Sequence, residues 1–197
     1  MKNNTTLKYI IKIAALAAIS AIIMLFEFPL WFAPGFYKLD LSEAVILMGS
    51  FALGPVAGVL IELLKNLLNI ILNGTTTAYV GEFANFVTGC AFVLPAAFIY
   101  KYKKNIKAAI SGMIASTFSL AIIGGLLNYY VMIPAFSSLY KLPIDAIIDM
   151  AKALNPWVVD LKTMIVFAVA PFNLVKGVLC SILAMLIYKR ISGILHK

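Results

Sequence analysis

Histidine, cysteine and acidic residues are all scarce in this chain: one His, two Cys and eight Asp plus Glu among 197 residues. The single histidine, His196, sits in the C-terminal tail, where it cannot join a catalytic constellation. Cys90 and Cys180 lie in apolar runs with no CxxC spacing, so neither a disulfide framework nor a metal site has support, and two small buried thiols are expected. No GxxxxGKS/T phosphate loop, HExxH helix or GxSxG elbow occurs, and no paired carboxylates line one segment. Walker-type ATP hydrolysis, zinc proteolysis and serine-hydrolase chemistry therefore lack their residues, and the chain is not expected to be an enzyme.

What the chain has instead is apolar surface. It is 63% hydrophobic and 12% charged, with a mean hydropathy of +1.00, far from the balance of a soluble domain. The expectation is an all-α, polytopic membrane protein forming a single domain over residues 1–197. A net charge of +8 would suggest nucleic acid in a soluble protein. Here the positive charges are clustered, so they read as topology and no nucleic-acid partner is expected.

Residues 1–26 have some features of a signal peptide, with Lys2, Lys8 and Lys12 followed by an apolar stretch and Ala18-Ile19-Ser20-Ala21. The apolar run from Tyr9 to Phe28 is long enough to span, which favours an uncleaved first helix. Expected spans are Leu7 to Phe28, Leu41 to Leu53, Val56 to Leu72, Tyr79 to Tyr100, Ala108 to Ile133 and Met164 to Tyr188. The second and third are divided at Gly54-Pro55, because proline disfavours a helix interior. Pro134 to Asp160 is expected as a longer loop carrying an amphipathic segment, Ile144 to Leu154.

Charge distribution supports that division. Lys2, Lys8, Lys12, Lys101, Lys103, Lys104, Lys107, Lys189, Arg190 and Lys197 hold ten of the sixteen positive charges. The positive-inside rule assigns all three clusters to the cytoplasm, and six transmembrane helices with both termini cytoplasmic put them on one face. Ala14 and Ala18, Ala17 and Ala21, and Gly54 and Gly58 are each spaced for close helix packing in lipid. Packing between spans accounts for the glycine pair, whereas the alanine face on the first span serves equally well to dock a second membrane protein.

The polar residues at membrane depth are Glu62, Lys65, Asn66, Asn69, Glu82, Asn85, Asn128, Asn173 and Lys176. Each is costly there unless it meets a partner, a cavity or a ligand. Glu62 and Lys65, three apart, read equally as a self-neutralising pair or a functional one, and solvation at the span start accounts for Glu82. Asn85, Asn128 and Asn173 fall in the same half of the bundle, and Asn173 shares a helix face with Lys176. A carboxamide sets a donor beside an acceptor, matching a ring edge that alternates C=O and N–H, such as a pyrimidinedione. The Lys176 ammonium suits a carbonyl or an electron-rich ring nitrogen, or else pairs with a buried acid. Trp31, Phe32, Phe36, Tyr37, Tyr129 and Tyr130 would supply ring faces, or simply form an interfacial belt.

Several ordered segments carry a resemblance across nearly the full length. They are Lys38-Leu39-Asp40-Leu41-Ser42-Glu43, Phe51-Ala52-Leu53-Gly54-Pro55 with Gly58, and Glu62-Leu63-Leu64-Lys65-Asn66. Gly81-Glu82-Phe83-Ala84-Asn85-Phe86, Phe92-Val93-Leu94-Pro95-Ala96, Asn128-Tyr129-Tyr130 and Pro171-Phe172-Asn173-Leu174-Val175-Lys176-Gly177 follow. In this order the chain resembles the riboflavin-specific substrate-binding (S) components of energy-coupling factor (ECF) vitamin transporters.

The resemblance implies a six-helix protein of the bacterial cell membrane that captures riboflavin from outside. It would work with a transmembrane coupling subunit and two cytoplasmic ATPases, with riboflavin as transported ligand and no cofactor or metal of its own. It further implies that Leu39 packs at the ligand, that Asn128, Asn173 and Lys176 meet the ring, and that Asp40, Gly81, Glu82 and Asn85 belong to the binding region. Ala14 and Ala18 would face the coupling subunit. An S component for another vitamin, such as thiamine or biotin, would share the fold without the Asn128, Asn173 and Lys176 set. A small membrane enzyme is the alternative from another class.

Overall fold

The computed structural model describes the backbone of residues 2–195 and the side chains of residues 6–188. His196 and the side chains of Lys2, Lys189, Arg190 and Lys197 lie outside the described residues. Helix α1 (Lys2–Met24) is followed by a minimal hairpin, β1 (Phe28–Pro29) against β2 (Lys38–Leu39), with Phe28 opposite Leu39. The first span was expected to reach Phe28 and stops earlier. The residue before a proline is disfavoured in the helical region, and Pro29 sends the chain into the hairpin, where Glu27 meets Lys38 at 2.6 Å.

Helices α2 (Ser42–Leu53) and α3 (Pro55–Asn73) are separated where the sequence indicated, at Gly54 with φ +99° and Pro55 opening the next helix. That backbone conformation suits glycine and few other residues. Gly54 and Gly58 therefore do not form one packing motif. Only Gly58 packs closely, since a Cβ there would sit 2.8 Å from Val93 and 2.9 Å from Ser50. Every residue of α2 from Ser42 to Phe51 is buried, as an all-round apolar helix demands; α2 touches α1, α3, α4 and α9.

Helix α4 (Val80–Lys103) passes through Pro95 and contacts α5 (Ile106–Leu127) more extensively than any other pair. The Ala96 N–H, beside the interruption, donates to the Ser116 hydroxyl across that contact at 2.9 Å, the kind of substitute partner that makes proline tolerable in a buried helix.

The loop expected from Pro134 is instead more helix. A π-turn (Asn128–Met132) leads directly into α6 (Ile133–Tyr140), so residues 106–140 run as one unbroken helical path. The Ile133 N–H reaches back five residues to the Asn128 carbonyl at the turn. Widening the ladder there lets Pro134 enter without breaking the helix. The same device recurs: α8 (Leu161–Met164), capped by Asp160 and Thr163, continues through a π-turn (Ile165–Val169) into α9 (Ala170–Leu195), with Pro171 just beyond the turn. The expected amphipathic segment is helix α7 (Ile144–Lys152), whose Ile147, Ile148 and Ala151 pack against Ile133, Met164 and Ala168.

Among the described residues the regular structure is helical but for the two-residue strands, and the bundle has two unlike ends. Lys8, Lys101, Lys103, Lys104 and Lys107 collect at one. The hairpin, α6 and α7 cap the other. Five helical segments among the described residues are long and apolar enough to cross a membrane; α2 is apolar but shorter.

Candidate functional site

A cavity of about 730 Å³ opens at the capped end of the bundle, within the about 300–1,000 Å³ range of small-molecule sites. Of the polar and glycine residues singled out in the sequence, Asp40, Asn69, Gly81, Glu82, Asn85, Asn128, Asn173 and Lys176 line it. Leu39 lies behind that wall, fully buried against Ala33 and Phe172. Ala14 and Ala18 are exposed on α1, whereas Ala17 and Ala21 are buried. The two alanine pairs thus separate, one to the surface and one to the interior.

Asn85, Asn128 and Asn173 differ in how much bonding capacity they have left. Asn128 begins the first π-turn; its Oδ1 accepts from the Tyr37 hydroxyl at 2.7 Å and its Nδ2 donates to the Gly124 carbonyl at 2.8 Å. Asn85 donates from Nδ2 to Asn66 Oδ1 at 3.1 Å and to the Met24 sulfur at 3.6 Å. Asn173 is 8% exposed and forms no hydrogen bond to a described residue. It fits because Gly124 has no side chain: a Cβ there would lie 2.5 Å from Asn173 Nδ2. The amide is not sealed off from the cavity, so its donor and its acceptor both remain available to whatever occupies that space.

Lys176 pairs with a buried acid while still lining the cavity. Its Nζ donates to Asp40 Oδ2 at 2.9 Å, and the two residues are 9% and 4% exposed. Asp40 Oδ1 accepts from the Ser42 N–H at 3.0 Å and from the Ser42 hydroxyl, which anchors the carboxylate at the start of α2. Burial works to raise the Asp40 carboxyl, but the Lys176 ammonium, with Lys65 beyond it and the donors on its oxygens, holds it below the usual carboxylate range. Burial pushes the Tyr37 hydroxyl the other way, well above its ordinary value, so it stays a neutral donor. The Tyr37 ring packs against Phe36 and Phe172, with centroids 4.6 and 5.6 Å away.

A second ion cluster lies just behind the cavity wall. Lys65 Nζ is 2.7 Å from Glu43 Oε1 and 2.7 Å from Glu62 Oε1, with all three residues 0–2% exposed. Neither self-pairing of Glu62 with Lys65 nor ligand contact describes it fully: the triad ties α2 to α3. Gly89 on α4 leaves room for it, since a Cβ there would come within 2.4 Å of Glu62 Cδ.

The aromatic lining differs from expectation. Trp31 and Tyr130 are 84% and 70% exposed, and neither they nor Phe32 and Tyr129 line the cavity. Phe36 and Tyr37 do, joined by Phe136, Tyr140 and Phe172. Phe136 and Tyr140 went unnoticed because the segment after Pro134 reads as loop. Phe172 lay in view between Pro171 and Asn173. Thr77, which bonds Glu82 Oε2 at 2.9 Å, was likewise missed in the turn before α4. No metal-binding group of His, Cys, Asp and Glu occurs among the described residues.

The sequence family described as "ECF transporter, substrate-specific component" matches residues 8–188. Riboflavin transporter RibU of Staphylococcus aureus is 36% identical over 190 residues, covering 96% of this chain and 93% of that protein. Riboflavin transporter FmnP of Bacillus subtilis is 30% identical, with 94% and 92% covered. A solved S component of a bacterial ECF transporter superimposes with a TM-score of 0.75 at 33% identity, covering 98% of this chain and 99% of that one. The chain belongs to the family of substrate-specific components of ECF transporters and is a multi-pass membrane protein.

Proposed function

We propose that this S component captures riboflavin in the cavity at the capped end of the bundle and hands it to a coupling subunit driven by two ATPases. The observation that carries this reading is the convergence of Asn128, Asn173 and Lys176, from two helices interrupted by π-turns, onto one cavity. The isoalloxazine ring presents a planar edge of alternating carbonyl and N–H groups. Asn173 offers an unspent donor and acceptor, and Lys176 keeps donors beyond the one on Asp40. Phe36, Tyr37, Phe136 and Phe172 supply apolar faces for the ring. The two riboflavin transporters among the relatives give the ligand its name.

In this reading the chain acts as one unit over residues 1–197. It crosses the bacterial cell membrane six times, with α2 as the short span enclosed by the others, and both termini are cytoplasmic. Lys101, Lys103, Lys104 and Lys107 then lie inside, and the cavity opens outside. Asp40, Gly81, Glu82 and Asn85 complete the ligand site, Leu39 backs it, and exposed Ala14 and Ala18 meet the coupling subunit. Purified protein titrated with riboflavin should quench flavin fluorescence to saturation near one ligand per chain, because ring burial and aromatic stacking alter the excited state. Thiamine and biotin should not compete. Unquenched flavin alongside binding of either competitor would reject the assignment.

A further inference from the structure

Asn85 is the one cavity carboxamide whose two ends are already sorted into used and unused. Its two N–H donors are both taken by the protein, one by Asn66 Oδ1 behind the wall at 3.1 Å and one by the sulfur of Met24, itself on the cavity wall, at 3.6 Å. No described residue donates to its Oδ1. The sense of this arrangement is set from behind the wall. Asn66 is 4% exposed and does not line the cavity. Its Nδ2 donates to the Glu62 backbone carbonyl at 2.9 Å and to Glu62 Oε1 at 2.8 Å.

A backbone carbonyl can only accept, so the Asn66 amide has to keep its nitrogen on Glu62, whatever the protonation of that carboxyl. Its oxygen is thereby left for Asn85, and Asn85 in turn has to supply a nitrogen. Lys65, fixed between Glu43 and Glu62 at 2.7 Å from each, holds the Glu62 end of this chain in place.

Resting on the riboflavin reading above, we propose that Asn66 is a positioning residue. It locks Asn85 with its carbonyl oxygen toward the cavity, making the α4 wall a reader of hydroxyl donors. The neighbouring Glu82 strengthens that character, since a carboxylate accepts and its Oε2 already takes the Thr77 hydroxyl. The opposite wall, with Lys176 and the free Asn173 amide, offers donors. A ligand with a carbonyl-rich ring and a hydroxyl-rich chain then has one favourable orientation: chain toward α4, ring toward α9.

The test compares riboflavin with lumiflavin, which has the same ring system but a methyl group in place of the hydroxylated chain, by fluorescence titration. Asn66→Ser is the main variant. A serine hydroxyl can return to the carbonyl four residues back on its own helix but is too short to reach Asn85. It should weaken riboflavin about tenfold, the loss expected for one hydrogen bond group, and change lumiflavin less than about twofold. Asn85→Leu should produce the same selective loss, and Asn66→Ser placed on Asn85→Leu should add nothing further. Melting of the ligand-free variants reports any general loosening, and Asn66→Leu serves as a second variant if serine leaves a void that disturbs folding. Equal weakening of both flavins, no weakening of either, or additive effects in the double variant would each overturn the proposal. Wild-type protein that binds neither flavin would instead reject the riboflavin reading on which it rests.

Discussion

Two buried ion clusters lie a few residues apart in this protein and differ in what surrounds them. Glu43, Lys65 and Glu62 are sealed, with 0–2% exposure, and none of them lines the cavity. Asp40 and Lys176 are nearly as buried, yet both line it. The sealed triad joins α2 to α3, and both carboxylates spend an oxygen on the same ammonium. The open pair joins the end of the hairpin to α9 across 136 residues of sequence. Like charges in like burial therefore stand in two settings: one cluster keeps helices together, and the other holds an ammonium at a cavity wall.

The largest effect separating the two should come from Lys65→Met. It strands two carboxylates in a dry interior, and breaking buried pairs of this kind costs about 3–5 kcal/mol. The expected outcome is failure to accumulate as folded protein, seen in expression yield and in melting of whatever is purified; normal melting would dissolve the distinction between the clusters.

Next is Lys176→Met. It too leaves a buried carboxylate, but one at a cavity wall that water can reach, so a smaller melting loss is expected together with lost flavin affinity. Adding Asp40→Asn should recover the melting temperature without recovering the affinity. Recovery of both would make Lys176 merely structural.

Acid should act on the same pair. The Asp40 carboxyl is held below its usual range by Lys176. Its contribution is therefore complete above the unfolded carboxyl value of about 4 and declines as pH falls below that. Between about pH 5 and pH 3, wild type should lose more melting temperature than Asp40→Asn/Lys176→Met; parallel curves would show that the pair is not the sensitive element.

The smallest effect on stability belongs to a region touching neither cluster. Ala14→Trp or Ala18→Trp lies on an exposed face of α1, so melting and flavin binding should stay near wild type. Uptake by cells should be abolished if that face meets the coupling subunit at close range. Joint loss of folding and binding would place the face inside the bundle.

Much of this organisation can be read from residue order, and the remainder depends on contacts no local pattern records. Gly54-Pro55 announces the break between α2 and α3, because both residues act locally. Asn173 and Lys176 announce a shared face through their spacing. Pro134 misleads: proline reads as a helix breaker, yet the π-turn just before it absorbs the missing donor and carries the helix onward to Tyr140. Asn128 faces the cavity while Tyr130, two residues on and so on the opposite side of the helix, is 70% exposed. Asp40 as the partner of Lys176, and Glu43 as the second partner of Lys65, are invisible to spacing because they come from other helices or loops.

The central claim is that the unsatisfied carboxamide of Asn173 meets the flavin ring in this cavity. Riboflavin titration of wild type and Asn173→Ala, with ligand-free melting of both, tests it most directly. Removing an amide that bonds no described residue should leave the melting temperature unchanged, while binding weakens by about 1–3 kcal/mol for each ring partner lost. A large melting loss with unaltered riboflavin affinity would contradict the account.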